Sequence, residues 1–429
     1  MKKEENHSAY HQSNSSEIFE ELEIKISILK EKIVKSNSEP KPQLEAEVEE
    51  FMLNNWQTIV CYANQLISLG QLEKGKDILK PLLKIEKVNI TEICEFLSLE
   101  KKRSCWDVIT EILLEESESW NKIKNTLHED YPNINLNEYL ILILMPNNVG
   151  DSHGYLCLLE ALSKKHSSKI ILFINKVGAA SALYDLYKGN HIFQCYKVDM
   201  KSWFYDWRKN LFYQPLKPGF PATLNNLKFD IPGKTLPREP HKKTNYFDAY
   251  KPNIGLPVNT KLSSPIFQKE WEDKARLRFT EMGFKDNKTV LISPLANNFN
   301  TRFGVNKTFT DFWEEVCHWL LNNDFSVVIN GKNHRALIKS KHNALEIPLQ
   351  EVIPFANYCG FFIGIRSGLC QLLCFSSCQK KIIYPVGSRS GGEKRRNLDL
   401  TELGCEEYIV DPDDYAIAEI MENWVNIAR

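Results

Sequence analysis

The run YLILILMPNNVGDSHGYLCLLEAL at residues 139–162 constrains the fold more than any other stretch of this sequence. An apolar run breaks into a short Asn/Gly/Asp loop, and apolar residues then return at helical spacing. The pattern predicts a strand, a glycine turn and a helix. In an open α/β sheet such a turn lies at the carboxyl end of the strand, where ligands bind. Asp151 stands in it, so a chemical role for this acid comes before a packing role.

From residue 135 onward the sequence alternates strands and helices. KIILFIN (169–175) predicts a second strand, followed by the helical GAASALYDLYKG. Residues 197–265 read as irregular and rich in aromatic, Pro and Lys residues. A segment of that length inside a compact protein points to function, and its aromatic content argues against disorder. A second alternation begins near 288. TVLISPL, FSVVING, FFIGI and KKIIYPV read as strands, the last of these as the final one, and FTDFWEEVCHWLLNN, IPLQEVIPFANYC and LCQLLCFSS as helices. A terminal helix at 414–427 closes the chain. The expected class is α/β, with two Rossmann-like domains at 135–265 and 266–429 facing a cleft.

Residues 1–134 predict an all-α domain. Ile18, Leu22, Ile26, Leu29 and Ile33 recur at helical spacing within 16–35, and further helical segments read at 44–70, 71–85 and 90–127. The piece NWQTIVCYANQLISLGQLEKGKDILKPLLKI reads as two antiparallel helices joined at Gly70, which is similar to one unit of a tetratricopeptide-type repeat. With no second copy at a fixed period, a domain packing on the enzyme or on another subunit is favoured over a peptide-binding array.

Fifty-four basic against fifty-five acidic side chains give a net charge of −1, so nothing global points to nucleic acid. The start, MKKEENHSAYHQ, lacks the apolar core of a signal peptide, and a cytoplasmic location is expected. Eleven scattered cysteines contain no CxxC pair. Cys370, Cys374 and Cys378 recur every four residues and would stack on one helical face, which buried packing explains better than metal ligation. No DxD pattern ends a strand, so no metal is expected.

Two loops carry a family resemblance. Asn147, Asn148, Val149, Gly150 and Asp151 form a small-residue loop ending in Gly-Asp, and GIRSGLCQLLCF (364–375) places Ser367 and Gly368 between strand and helix. With the order of elements, these loops resemble the bacterial heptosyltransferase family, GT-B glycosyltransferases of the lipopolysaccharide inner core. Arg366 departs from the Asp of that family, and Gln371 from its His. The resemblance implies a GT-B arrangement and makes Asp151 the general base that deprotonates an acceptor hydroxyl, with inversion at the sugar carbon. A hydroxyl is a poor nucleophile until a positioned carboxylate takes its proton. The competing reading is an Asp that caps its helix.

On the donor side the resemblance implies that Ser367, Gly368 and the helix start hold a diphosphate. Arg366 suits a bidentate anion contact, or else a surface ion pair, and Gln371, where the family has His, is a further donor candidate. Ser293, Asn298 and Arg302 in ISPLANNFNTRFG, and Lys332 in NGKNH, are further donor candidates. The basic loop VGSRSGGEKRRN (386–397) suits closure over a diphosphate or contact with an anionic membrane lipid. Asn148, Gly150, His153 and Trp203 are expected on the acceptor side, Trp203 because sugar rings pack on aromatic faces, and His153 as a second base or a packing residue.

The expectation is an inverting, metal-independent glycosyltransferase without cofactor. It would take a nucleotide-sugar donor and a bacterial glycan or glycolipid acceptor. Contact with the inner face of the cell membrane and self-association or a protein partner through residues 1–134 are also expected. The alternatives are an epimerase or hydrolase of the same fold, or a non-catalytic module whose helical domain recruits partners.

Overall fold

The computed structural model describes residues 42–85, 117–144, 148–203, 216–224, 244–294, 307–331, 343–385, 398–411 and 415–428, with single positions at 24, 27, 28, 93, 96, 105, 108, 109 and 111–113. The chain forms two units, one of residues 1–134 with 203–214, the other of residues 135–202 with 215–429.

In the first unit the described residues are mainly helical: α1 (Pro42–Asn54), α2 (Trp56–Ser68), α3 (Leu72–Lys84) and α4 (Glu118–Asp130). The single segment expected at 44–70 is interrupted at Asn55, whose side-chain amide donates to Phe51 O at 2.8 Å and competes with the helical ladder. The chain reverses at Gly70, where φ is +78°, as glycine allows. Ile59, Val60, Ala63, Leu79 and Leu82 meet in the core between α2 and α3. The segment expected at 90–127 also divides, because Ser117 starts a new helix by accepting from Trp120 N–H at 3.2 Å. Of the helix expected at 16–35, the described positions 24, 27 and 28 are helical.

The second unit contains two parallel sheets. The first has order β3-β2-β1-β4, built from β1 (Tyr139–Leu144), β2 (Lys169–Asn175), β3 (Ile192–Val198) and β4 (Pro221–Leu224). Its helices are α5 (Val149–Leu156), α6 (Leu159–His166) and α7 (Ala179–Tyr184), and α8 (Met200–Trp203) ends on the first residue of the segment assigned to the first unit. A two-residue strand, β5 (Thr244–Asn245), leads into a 3-10 turn at Tyr246–Ala249 and the short helix α9 (Tyr250–Asn253). Helix α10 (Lys269–Glu281) joins the halves.

The second sheet has order β12-β10-β9-β6-β7-β8. It comprises β6 (Thr289–Ser293), β7 (Ser326–Asn330), β8 (Asn343–Leu345), β9 (Gly360–Ile365), β10 (Gln379–Pro385) and β12 (Cys405–Val410), with β11 (Leu398–Asp399) pairing β5 in a separate ribbon. Its helices are α11 (Lys307–Asn322), α12 (Val352–Cys359), α13 (Gly368–Leu373) and α14 (Ile417–Ala428). Helix α12 passes into β9 without a linker, through Gly360 at φ +86°, where a Cβ would lie 2.7 Å from Asn287 Cα.

Several expectations are corrected. Residues 197–265, read as irregular, supply β4, β5 and the turn carrying Tyr246 and Tyr250. KKIIYPV is not the final strand, since β12 follows it and pairs with it in parallel. Helix α13 stops at Leu373, so Cys378 does not share a helical face with Cys370; Cys374 Sγ instead lies 3.8 Å from Cys405 Sγ. No described helix is long and apolar enough to cross a membrane.

Candidate functional site

Five of the six residues of β1 are buried, and what the strand contributes to a site is the loop it delivers. Asn148 ends that loop in an extended conformation and caps α5: its Oδ1 accepts from Asp151 N–H at 2.7 Å. Asp151 is therefore the third residue of the helix and not its cap, which corrects the capping alternative. Its carboxylate answers the cap, Oδ2 accepting from Asn148 Nδ2 at 2.6 Å, a variant of the reciprocal capping box. Oδ1 accepts from the Tyr250 hydroxyl. Among the described residues no Lys, Arg or His forms an ion pair with this carboxylate. Two neutral donors fix its plane and leave a lone pair on each oxygen.

Tyr250 is fully buried, and its ring lies so close to Gly154 that a Cβ there would sit 2.7 Å from the ring. Its hydroxyl meets that of Tyr246, one helical turn earlier. Burial pushes both phenols well above their usual pKa, and they stay protonated at neutral pH. Tyr246 in turn reaches the second half. Its hydroxyl lies 3.1 Å from the Gln371 amide oxygen, which accepts from Arg366 Nη1 at 2.8 Å and Nη2 at 2.9 Å. This is the amide orientation in which oxygen faces the guanidinium, as it must, because arginine offers only donors.

Arg366 follows β9 directly, and its backbone N–H donates to Ile383 O at 3.1 Å, which ties it to β10. The guanidinium carbon stands 5.0 Å from the centre of the Tyr246 ring, and Nη1 also donates to Ser367 O at 3.2 Å. Among the described residues no carboxylate pairs with Arg366, so the surface ion pair is not what occupies it. Burial disfavours its charge, but nearby phenol and thiol groups, Tyr384 and Cys370 first among them, outweigh this and hold its pKa above the ordinary value.

The amino ends of α5 and α13 meet through two glycines. A Cβ on Gly368 would lie 2.5 Å from Gly150 N and 2.8 Å from Val149 Cβ, while one on Gly150 would overlap the Gln371 amide. The first loop of one half and the Arg366 turn of the other are thus in contact.

His153 lies beneath this junction with no exposed surface. Its Nε2 is 2.5 Å from the Tyr187 hydroxyl, and the rings of Phe247 and Phe375 stand edge-on to it at 5.4 and 5.3 Å. Burial lowers its pKa to about 3, so the imidazole is neutral and braces α5. Ser293 is buried at the end of β6, opposite Gly364 of β9. Trp203 belongs to the first unit, where Lys122 Nζ lies 4.7 Å from its ring centre. Asn298, Arg302, Lys332 and the loop 386–397 lie outside the described residues.

Tyr246, Tyr250 and Tyr187 were not read from the sequence as site residues. The signal for the first two was NYFDAY, two tyrosines four apart just before Pro252, inside the aromatic-rich stretch where Trp203 drew attention instead.

No family model matches this sequence, and no curated protein matches it. Among solved structures the chain is similar to a glycosyl transferase family 9 protein from Veillonella parvula, with 12% identity over 68% of this chain and 99% of that one, at a TM-score of 0.45. It is similar to the E. coli ADP-heptose lps heptosyltransferase II, with 11% identity over 67% and 98% at 0.45. It is also similar to the E. coli heptosyltransferase WaaC with ADP, with 11% identity over 67% and 99% at 0.41. At such values the likeness decides nothing about chemistry, which rests on the residues described above.

Proposed function

We propose that this protein is a glycosyltransferase that moves a sugar from a nucleotide-sugar donor to the hydroxyl of a glycan or glycolipid acceptor, with inversion. The observation that carries this reading is the Asp151 carboxylate at the carboxyl end of β1, aimed by an amide and a phenol and, among the described residues, not paired with a cation. Such a group suits general-base work, because hydrogen bonds from neutral donors position it and leave it free to take a proton. Arg366 at the carboxyl end of β9 is the candidate for the donor diphosphate, whose departure needs positive charge. The acceptor oxygen bonds to the anomeric carbon as the bond from that carbon to phosphate breaks. Its proton passes to Asp151.

Ser293, at the end of β6, and Ser367, the cap residue that follows Arg366, are the other described donor candidates in this reading. Asn298, Arg302 and Lys332, outside the described residues, are further donor candidates in this reading. The acceptor class in this reading is a bacterial surface glycan or its lipid-linked precursor, approached from the cytoplasmic face of the membrane.

Thermal-shift screening with ADP-, GDP-, UDP- and CMP-sugars identifies the donor. Asp151→Ala is then expected to retain donor binding and to transfer at least ~10²-fold more slowly, the lower range for loss of a general base. Undiminished turnover in that variant removes Asp151 from the reaction.

A further inference from the structure

Three oxygen-to-oxygen contacts run in series: Asp151 Oδ1 with Tyr250, Tyr250 with Tyr246, and Tyr246 with the Gln371 amide oxygen. Each needs one proton to be a hydrogen bond. With Asp151 ionised, the only protons available are the two phenolic ones, because an amide oxygen carries none. Tyr250 donates its hydrogen bond to Asp151 and Tyr246 donates its own to Tyr250. The Tyr246–Gln371 contact is then left without a proton, and Gln371 is held by Arg366 alone.

A protonated Asp151 supplies the missing third proton. The acid donates to Tyr250, Tyr250 to Tyr246 and Tyr246 to Gln371, so every contact becomes a hydrogen bond. We propose that Tyr250, Tyr246 and Gln371 form a reversible relay through which proton arrival on Asp151 loosens Gln371 from Arg366 and frees the guanidinium for an anionic diphosphate. The inference rests on the transferase reading given above. No covalent bond of the phenols changes: the acceptor O–H breaks, an O–H forms on Asp151 Oδ1 and turns about the Cγ–O bond from the acceptor toward Tyr250, and each phenol hydroxyl turns about its Cζ–O bond. Tyr250, Tyr246 and Gln371 are positioning residues. Both tyrosines are buried, so water does not supply the missing proton, and both phenols are too weakly acidic in place to ionise instead.

The relay gives base and anion site a shared state. While Asp151 is ionised and ready to accept, Gln371 occupies Arg366. Once it has accepted, Arg366 is free as negative charge gathers on the leaving diphosphate.

Asp151→Asn tests this, because the Asn amide can donate to Tyr250 as the protonated acid would. In full-length protein labelled with 13C at tyrosine Cζ, and with resonances assigned through Tyr246→Phe and Tyr250→Phe, Asp151→Asn is expected to move the Tyr246 signal, although Tyr246 does not touch residue 151. Calorimetric titration with ADP, GDP and UDP is expected to show binding about fivefold tighter in Asp151→Asn, the lower end of coupling between linked sites. The gain is expected to vanish when Tyr250→Phe or, should that variant fold poorly, Tyr246→Phe is added. A stationary Tyr246 signal, or a gain that survives both cuts, overturns the relay. Absence of binding by any of the three nucleotides sinks the donor reading instead, and the Tyr246 signal still decides the proton count.

Discussion

Gly150 and Gly368 face each other, yet a methyl group added to either has different consequences. On Gly368 it meets backbone, the Gly150 nitrogen at 2.5 Å, and only separation of α5 from α13 makes room. Overpacking of this kind costs about 1–3 kcal/mol. On Gly150 the methyl meets the end of the Gln371 side chain, which can swing away. Gly368→Ala is therefore expected to lower the unfolding midpoint clearly, whereas Gly150→Ala leaves it nearly unchanged while displacing Gln371 from Arg366 and Tyr246. Chemical denaturation of both variants, read beside nucleotide affinity, separates the two effects. Equal loss of stability in both would show that Gln371 is not the yielding partner.

Among elements, β10 and β12 are joined by a side-chain contact with a directional weakness. Lys381 on β10 is wholly buried, and its Nζ reaches Glu406 Oε2 at 2.5 Å and the Tyr408 hydroxyl at 3.0 Å. Glu406 is 41% exposed. Removing the exposed partner strands a buried amine, so Glu406→Ala should cost about 1–3 kcal/mol. Lys381→Met keeps the length, buries no charge and leaves Glu406 to water, and should be near neutral. Partial burial pushes the Glu406 carboxyl upward, but Lys381 and Tyr408 outweigh it and hold the pKa below its ordinary value. The contribution is thus complete above about pH 4.3, the unfolded carboxyl value, and is lost as pH falls through the lower folded value. Acid titration of wild type against Glu406→Ala, by circular dichroism, should converge in that window.

Position within the sheets also explains which elements were legible. The strands read from sequence, β1, β2, β6, β7, β9 and β10, are all interior, with neighbours on both sides. Such strands are aliphatic on both faces and stand out as runs. The strands missed from the two large sheets, β3, β4, β8 and β12, are the four edges. β12 reads CEEYIV, β4 opens on Pro221, which an edge tolerates because no further strand needs its missing N–H, and β3 is partly exposed along most of its length. The Asp151 loop and the Arg366 turn were legible because each follows an interior strand. Tyr246 and Tyr250 follow only a two-residue ribbon strand, and their tie to Asp151 spans about a hundred residues, a pairing no local pattern announces.

For the whole molecule, two units with separate cores should unfold in two steps. Scanning calorimetry is expected to resolve two transitions, and a nucleoside diphosphate at a hundred times its Kd should stabilise one of them by about 2.7 kcal/mol. A single transition that moves as one would show the units to be coupled in folding. The direct passage from α12 into β9 at Gly360 bears on how this chain can tolerate insertions and deletions. Only five residues separate that glycine from Arg366, all of them within β9. One residue added or removed there would turn every later side chain of the strand to the opposite face. Changes in length are thus confined to other connections, and the reach of Arg366 toward its anion is set by a stretch of polypeptide that has no slack to lend.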